Sequence, residues 1–193
     1  MIYVLGDSHI ELFKGVPDVQ LFGWQRLMYQ VTYEGLNFPF TPGTTYREKI
    51  IQPKSPFLFM FGEIDCRMYL TDKTNADLER LSEDYVCCIM KFNKLYSIST
   101  KFIIASITPP TDVVIPAKYI NKTYYSGTIE RRIEVTKFMN KEIKKRSKYF
   151  LDIYNHYSDS TGKLRGDISD GWTHIKSDYN DYAVKKLMEI INK

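Results

Sequence analysis

The pattern of apolar and polar positions along the chain alternates between short apolar runs and longer segments with helical periodicity. The apolar runs have little polar alternation and stop at glycine or proline, as expected for parallel strands covered on both faces. The longer segments carry apolar residues at three- and four-residue spacing, which is typical of amphipathic helices. The pattern therefore predicts an α/β fold with about five parallel strands and helices on both faces of the sheet.

The individual elements follow from where these segments begin and end. The predicted strands lie within Ile2 to Leu5, Leu27 to Tyr33, Phe57 to Phe61, Lys101 to Ile107 and Tyr149 to Tyr154. The predicted helices run from a capping box at Thr74 and Asp77 to Leu95, from Thr128 to Arg146, and within Asp178 to Ile191. No repeat, low-complexity tract or Gly/Ser-rich linker divides the chain, so we expect residues 1–193 to form a single domain.

Composition and charge exclude several classes of protein. Hydrophobic residues make up 44% and charged residues 26%, which is typical of a packed globular core and excludes disordered and fibrous chains. The apolar runs fall far below the ~18 residues that indicate a membrane span. The N-terminus enters a predicted strand without the features of a signal peptide, so we expect a cytoplasmic location. The net charge of +4 is too mild to indicate nucleic acid, and the basic run Lys137 to Lys148 is typical of a solvated helix face.

The cysteines and histidines are few and badly spaced for metal binding. There are three of each, and no two of them lie at the separation typical of zinc ligands. Cys87 and Cys88 are adjacent in a helical pattern, where a disulfide between them would be strained, so reduced thiols are expected. We predict no structural zinc.

Polar residues follow the predicted strands at the edge where ligands of open α/β sheets bind. A serine directly after a strand has an exposed hydroxyl and a free backbone N–H, and this placement suits a nucleophile. Serine needs a base, usually a histidine oriented by a carboxylate. Ser8, His174 and Asp170 supply these residue types. The long segment from Thr108 to Ser126 is expected to form a rim or lid.

The order of these motifs resembles the SGNH (GDSL-type) hydrolase family over nearly the whole chain. Three blocks carry the resemblance: Gly6-Asp7-Ser8-His9, Gly62-Glu63-Ile64-Asp65-Cys66-Arg67 and Asp170-Gly171-Trp172-Thr173-His174. The resemblance implies a flavodoxin-like three-layer fold and esterase activity without metal or organic cofactor. It also implies a nucleophilic Ser8, a basic His174 and an orienting Asp170. The particular motifs are similar to a branch linked to polysaccharide biosynthesis, which points to a small-molecule or glycan substrate.

The oxyanion hole is where the chain departs from the family pattern. The resemblance implies donors from the Ser8 N–H, from a glycine N–H in a second block and from an asparagine in the third block. The glycine is Gly43 or Gly35, of which Gly43, before a predicted helix, is favoured. Ile64 stands where the asparagine is expected, and Arg67 is a candidate replacement donor. The Asp170-to-His174 spacing is also one residue longer than is usual in the family.

Several charged and aromatic residues beside the blocks have two interpretations. Asp7 caps the turn after the first strand or orients the catalytic loop. Glu63, Asp65 and Arg67 follow a strand that is predicted to be buried, so they pair with each other or contact the substrate. Trp172 stacks on a sugar or closes its loop.

Three functions remain open on the sequence. The leading one is a serine esterase or acyl transferase that deacylates a carbohydrate. The rival, motivated by Ile64, is a glycan-binding domain that has lost catalysis. The third is a transferase in which Glu63 or Asp65 acts as acid or base.

Overall fold

A parallel five-stranded sheet organises the molecule, and its strands lie in the order Val19–Gly23, Ile2–Gly6, Phe57–Met60, Phe102–Ala105 and Phe150–Leu151. The structure is a computed structural model that describes residues 1–23, 27–33, 45–46, 49–50, 54–96, 101–113 and 125–193. The strands are β1 (Ile2–Gly6), β2 (Val19–Gly23), β3 (Thr45–Tyr46), β4 (Lys49–Ile50), β5 (Phe57–Met60), β6 (Phe102–Ala105) and β7 (Phe150–Leu151). Strands β3 and β4 form a separate antiparallel pair.

Helices cover both faces of the sheet. They are α1 (Met28–Tyr33), α2 (Glu63–Met68), α3 (Asn75–Tyr96), α4 (Ile129–Arg146), α5 (Tyr154–Tyr157) and α6 (Asp181–Ile191). Among the described residues, the 3-10 helices Ser8–Phe13 and Ser177–Tyr179 supplement them. The α/β prediction of about five parallel strands with helices on both faces is confirmed.

Two hydrophobic clusters, one on each face, hold the three layers together. Side chains alternate between the faces along each strand, so Tyr3 and Leu5 point to one face while Val4 points to the other. The first face packs against α1, α2, α3 and α4. The second face packs against the 3-10 helix Ser8–Phe13, α5 and α6. Strands β1, β5 and β6 are buried along their whole length, which explains their continuous apolar sequence.

The two long helices begin at the predicted caps. Thr74 and Asp77 form a reciprocal capping box, in which each side chain accepts the backbone N–H of the other residue at 3.2 and 3.0 Å. Thr128 caps α4 through a hydrogen bond from the Arg131 N–H at 3.2 Å. These helices were predictable because their start signals are local in sequence.

The prediction of a strand within Leu27 to Tyr33 is wrong. Residues Met28–Tyr33 form helix α1, and the second strand is Val19–Gly23. Two features explain the difference. Strand β2 is half-buried at the sheet edge, so its sequence lacks a continuous apolar run. The start of α1 is stabilised by the distant carboxylate of Asp65, which no local pattern reveals.

The last two elements are shorter than predicted. The strand expected within Tyr149 to Tyr154 covers only Phe150–Leu151, because α5 begins at Tyr154. The last helix begins at Asp181 rather than Asp178, since Ser177–Tyr179 forms a 3-10 turn.

The described ranges lack membrane-spanning helices, metal-ligand groups and disulfides. No helix found there combines the length and apolar character needed to cross a membrane. The same residues include no group of three His, Cys, Asp or Glu side chains placed to hold a metal ion. All three cysteines are free thiols, with Cys66 buried and Cys87 exposed.

Candidate active site

The carboxyl ends of β1 and β5 meet at one edge of the sheet, where they place the first and third sequence blocks side by side. Gly6 makes this close approach possible, because a Cβ at that position would lie 2.0 Å from the Met60 carbonyl oxygen. At the end of β5, Gly62 adopts a φ of 112° that favours glycine, and helix α2 begins directly after it. The turns that follow β1 and β5 therefore start at positions that depend on Gly6 and Gly62.

Ser8 is the first residue of the 3-10 helix that follows β1, and its side chain is exposed. Asp7 caps this helix by accepting the His9 backbone N–H at 3.0 Å. The first interpretation of Asp7, a helix-start cap, therefore agrees with its hydrogen bonding. The placement leaves the Ser8 hydroxyl at the sheet edge.

The loop that carries Asp170 and His174 reaches Ser8 from the far end of the sequence. His174 Nε2 lies 2.8 Å from Ser8 Oγ, and His174 Nδ1 lies 2.8 Å from Asp170 Oδ2. The structure thus brings together the three residues that the sequence selected. About one third of the His174 and Asp170 side chains is exposed, so the group is open to a ligand.

This loop is a tight turn with its own hydrogen bonds. Asp170 Oδ1 accepts the backbone N–H groups of Trp172 and His174 at 2.8 and 3.2 Å. The Asp170 N–H donates to the His174 carbonyl at 3.0 Å, and Ser169 bridges to Ile175. The turn accommodates the four-residue spacing between the carboxylate and the imidazole. Burial would raise the pKa of Asp170, but these bonds and the bond from the His174 ring outweigh it and hold that pKa below its usual value.

A second histidine lies behind the first. The ring centroids of His9 and His174 are 4.9 Å apart. His9 Nδ1 lies 2.9 Å from Asp7 Oδ1, and His9 Nε2 lies 3.0 Å from the Thr173 carbonyl oxygen. Burial alone would lower the pKa of His9, but the Asp7 carboxylate and then Glu63 outweigh it and raise that pKa to about 9.

The charged residues of the third block are buried and take separate partners. Glu63 Oε1 accepts a hydrogen bond from Arg67 Nε at 2.9 Å, and Glu63 Oε2 lies 3.8 Å from His9 Nε2. Asp65 is 1% exposed and accepts the N–H groups of Met28 and Tyr29 at 2.8 and 3.0 Å.

The environment of Asp65 also changes its ionisation. Burial raises the pKa of Asp65 to about 6, although the two backbone N–H groups that it accepts act in the opposite direction. Asp65 is thus committed to capping α1, and Glu63 to the ion pair with Arg67.

Several solved structures share this fold. This chain matches a protein described as a platelet activating factor from Streptococcus pneumonia with a TM-score of 0.62 and 14% sequence identity. The match covers 97% of this chain and 82% of that protein. A GDSL-like lipase from Bacteroides thetaiotaomicron matches with a TM-score of 0.55 and 12% identity, over 99% of this chain and 85% of the lipase. An acetyl xylan esterase matches with a TM-score of 0.52 and 12% identity, over 98% of each chain. This chain has an SGNH hydrolase-like fold. No family model matches the sequence. No curated protein matches it either.

The residues expected to form an oxyanion hole are described only in part. Gly43 and Gly35 lie outside the described residues. Ile64 is half-buried in the first turn of α2 and has no side-chain donor. Arg67, the proposed replacement, donates its Nε to Glu63, and its guanidinium carbon lies 5.9 Å from the Tyr125 ring centroid. Trp172 is half-buried beside the Asp170 carboxylate, and its stacking role stays a prediction.

The sequence reasoning missed one buried charge, Arg132, close to the ring of Tyr125. The guanidinium carbon of Arg132 lies 4.3 Å from the Tyr125 ring centroid, and Arg132 is 5% exposed. Among the residues that the structure describes, its Nε and Nη1 have no hydrogen-bond partner. A signal was available, because Arg132 falls on the same helix face as the buried Val135, Met139 and Ile143.

Proposed function

We propose that this protein is a serine esterase that deacylates an acylated carbohydrate, with Ser8 as nucleophile, His174 as general base and Asp170 as its orienting carboxylate. The observation that carries the proposal is the continuous hydrogen-bonded chain from Ser8 Oγ through the His174 ring to Asp170, with 2.8 Å at each step. A nucleophile, a base in hydrogen-bond reach and a group orienting that base form the arrangement that acyl transfer requires.

The steps follow from these contacts. His174 Nε2 accepts the Ser8 proton while Oγ attacks the ester carbonyl carbon, and the carbonyl electron pair moves onto oxygen. The product of this attack is a tetrahedral intermediate. Its collapse expels the alcohol, which takes the proton from His174, and Ser8 is left acylated. Water then attacks the acyl carbon and gives a proton to His174, and His174 returns this proton to Ser8 Oγ as the bond to the acyl group breaks and the carboxylic acid leaves. Asp170 holds the ring so that Nε2 faces Ser8 and stabilises the imidazolium that forms.

The carbohydrate class of the substrate has three supports. The sequence blocks resemble a glycan-linked branch of the family, and one structure with the same fold is an acetyl xylan esterase. The half-buried Trp172 also lies within the catalytic loop, where an aromatic ring suits a sugar face. We expect acetylated oligosaccharides to be deacetylated faster than esters of long acyl chains. Faster hydrolysis of the long-chain esters would contradict the carbohydrate assignment.

The decisive experiment compares wild type with Ser8→Ala on an aryl acetate and in labelling by an organophosphonate. We expect hydrolysis and a single covalent label in wild type, and the loss of both in Ser8→Ala. Ser160→Ala is the matched control, because Ser160 is an exposed serine in a loop that is far from Ser8 in sequence. A folded wild-type protein with neither hydrolysis nor labelling would overturn the proposal.

A non-hydrolytic glycan-binding domain is the second candidate, and Ile64 is the observation that favours it. Loss of one oxyanion donor costs about 3 kcal/mol of transition-state stabilisation in comparable hydrolases. Glycan binding that persists in Ser8→Ala, together with no turnover by wild type, would support this candidate. The transferase alternative has less support, because Glu63 and Asp65 are buried and already bonded.

The variant Ile64→Asn tests the missing donor directly. If the amide reaches the oxyanion, we expect kcat for an aryl acetate to rise about a hundredfold, at the lower end of the about 10²- to 10³-fold that one donor contributes. Ile64→Leu is the matched control, since it changes the side chain without adding a donor. An unchanged kcat in a folded Ile64→Asn protein would mean that position 64 does not face the oxyanion.

A further inference from the structure

The hydrogen bonds of His9 define its protonation state. Asp7 Oδ1 faces His9 Nδ1 at 2.9 Å and already accepts the His9 backbone N–H at 3.0 Å. On the other side of the ring, the Thr173 carbonyl oxygen faces Nε2 at 3.0 Å. A carbonyl oxygen only accepts, and Asp7 Oδ1 is acting as an acceptor. Both ring nitrogens of His9 must therefore donate, and only the imidazolium form carries two N–H groups.

The groups around the ring favour this charge. Asp7 faces it from the turn after β1, and Glu63 Oε2 faces it from the start of α2 at 3.8 Å from Nε2. Arg67 neutralises part of the Glu63 charge through the other carboxylate oxygen. The loop contributes the Thr173 carbonyl and the His174 ring. His9 is 5% exposed, so water does little to screen these contacts. The raised pKa of His9, about 9, agrees with the hydrogen bonding.

The position of Thr173 links this charge to the catalytic loop. Thr173 immediately precedes His174 and is 2% exposed. His9 immediately follows Ser8, so the bond from His9 to Thr173 joins the two segments that carry the nucleophile and the base. Apart from the contact between Ser8 and His174 themselves, this bond holds those segments together directly.

We propose that His9 is a positioning residue whose protonated ring holds the loop of His174 against the turn of Ser8, so that the alignment of base and nucleophile is lost when the ring is deprotonated. The proposal rests on the proposed roles of Ser8 and His174. On deprotonation the carboxylate of Asp7 retains the Nδ1 proton, because a charged acceptor forms the stronger bond. The lone pair of Nε2 then faces the Thr173 carbonyl oxygen and Glu63, and repulsion replaces the bond.

The protonation state can be measured without any assay of activity. The chain has three histidines, so 15N-histidine labelling with His156→Gln and His9→Gln variants assigns every ring by NMR. We expect both ring nitrogens of His9 to carry protons at pH 7 and to titrate near pH 9. Asp7→Asn should move this titration toward acid by about one pH unit or more, because it removes the opposite charge. A neutral His9 ring in wild type at pH 7 would overturn the proposal.

The positioning role needs a kinetic measurement on an aryl acetate. We expect kcat of His9→Gln to fall about tenfold to a hundredfold, the size typical of a misplaced catalytic group, with KM nearly unchanged. Wild-type kcat should fall above about pH 9, and this alkaline limb should be absent in His9→Gln. His156→Gln is the matched control, and we expect it to keep the wild-type profile.

Two further outcomes separate this proposal from the proposed function. His9→Phe keeps an aromatic ring but has no donor. If a folded His9→Phe or His9→Gln protein has the wild-type kcat and an unchanged alkaline limb, His9 only fills space. That result would overturn the positioning role. An inactive wild type whose His9 still titrates near pH 9, with the Thr173 resonances following the same titration, would overturn the esterase and leave the ring's hold on the loop supported.

Discussion

Two aspartate–histidine pairs lie side by side at the edge of the sheet, and their surroundings give them opposite properties. In the pair of Asp7 and His9, both side chains are at least nine-tenths buried, and both ring nitrogens face acceptors. In the pair of Asp170 and His174, about one third of each side chain is exposed, and the outer ring nitrogen faces the Ser8 hydroxyl. The same two residue types thus form a fixed charge in one place and a candidate base in the other.

The difference teaches what a base requires beyond a carboxylate partner. A histidine can accept a proton only if one ring nitrogen is left without a proton and faces a donor. In the proposed mechanism His174 Nε2 meets this condition, because it faces the Ser8 hydroxyl, whereas His9 Nε2 faces a carbonyl oxygen to which it can only donate. Exposure adds access for the substrate. We therefore expect loss of the exposed pair to act mainly on activity, and loss of the buried pair to act mainly on stability, with a smaller effect on activity through the position of His174.

The largest effect is expected from a variant that breaks the exposed pair. His174→Ala should lower kcat for an aryl acetate by at least about 10⁴-fold, because Ser8 loses the group that takes its proton. The free energy of unfolding should change by only about 1 kcal/mol, since the net contribution of a single hydrogen bond from a partly exposed side chain is about that size. Steady-state kinetics and urea denaturation check the two halves of this prediction. A loss of stability above about 3 kcal/mol would contradict the division of roles.

The next largest effect breaks the buried pair. Asp7→Ala leaves the His9 charge without its main partner, and breaking a buried pair in this way costs about 3 to 5 kcal/mol. Urea denaturation of Asp7→Ala and of Asp170→Ala measures the difference. For Asp170→Ala we expect a smaller loss of about 1 to 2 kcal/mol, because this carboxylate is partly exposed but caps two backbone N–H groups of its turn. Equal losses from the two variants would mean that burial does not distinguish the pairs.

The smallest expected effect sharpens the comparison through pH. The pKa of His9 is about 9 in the folded protein and about 6.5 in an unfolded chain, so the folded state holds this proton more tightly. The resulting stabilisation, about 3 kcal/mol, is fully present below about pH 6.5 and is lost as the pH rises through 9.

The measurement is the free energy of unfolding between pH 6 and pH 10 in wild type and in His9→Gln. The difference between the two proteins should shrink across this range, whereas Ser160→Ala should run parallel to wild type. A difference that stays constant with pH would contradict the assigned charge of His9.

How far the sequence predicted this molecule depends on whether each signal was local. Strands β1 and β5 are continuous apolar runs, and α3 and α4 start at caps within their own sequence, so these elements were predictable. Helix α1 was mistaken for a strand because its stabilising carboxylate, Asp65, lies 37 positions beyond Met28. Short polar edge strands such as β2 carry no comparable signal.

The candidate site divides in the same way. The order of the three blocks was enough to select Ser8, Asp170 and His174, which the structure brings within hydrogen-bond distance. The contact of His9 with Thr173 spans 164 positions and joins a side chain to a backbone carbonyl, so no residue type marks it. Arg132 could have been found, because a charge on the apolar face of a predicted helix is itself a signal.

The turn from Ser169 to Ile175 has a consequence for how the site could fail or be rebuilt. Asp170 and His174 are bonded to each other through both side chain and backbone, and the flanking residues close the turn. The candidate proton acceptor and its candidate orienting group therefore lie in one internally bonded turn of seven residues. A shift of this turn as a unit would keep their mutual geometry and change its contacts with the Ser8 segment, above all those of His174 with Ser8 and of Thr173 with His9.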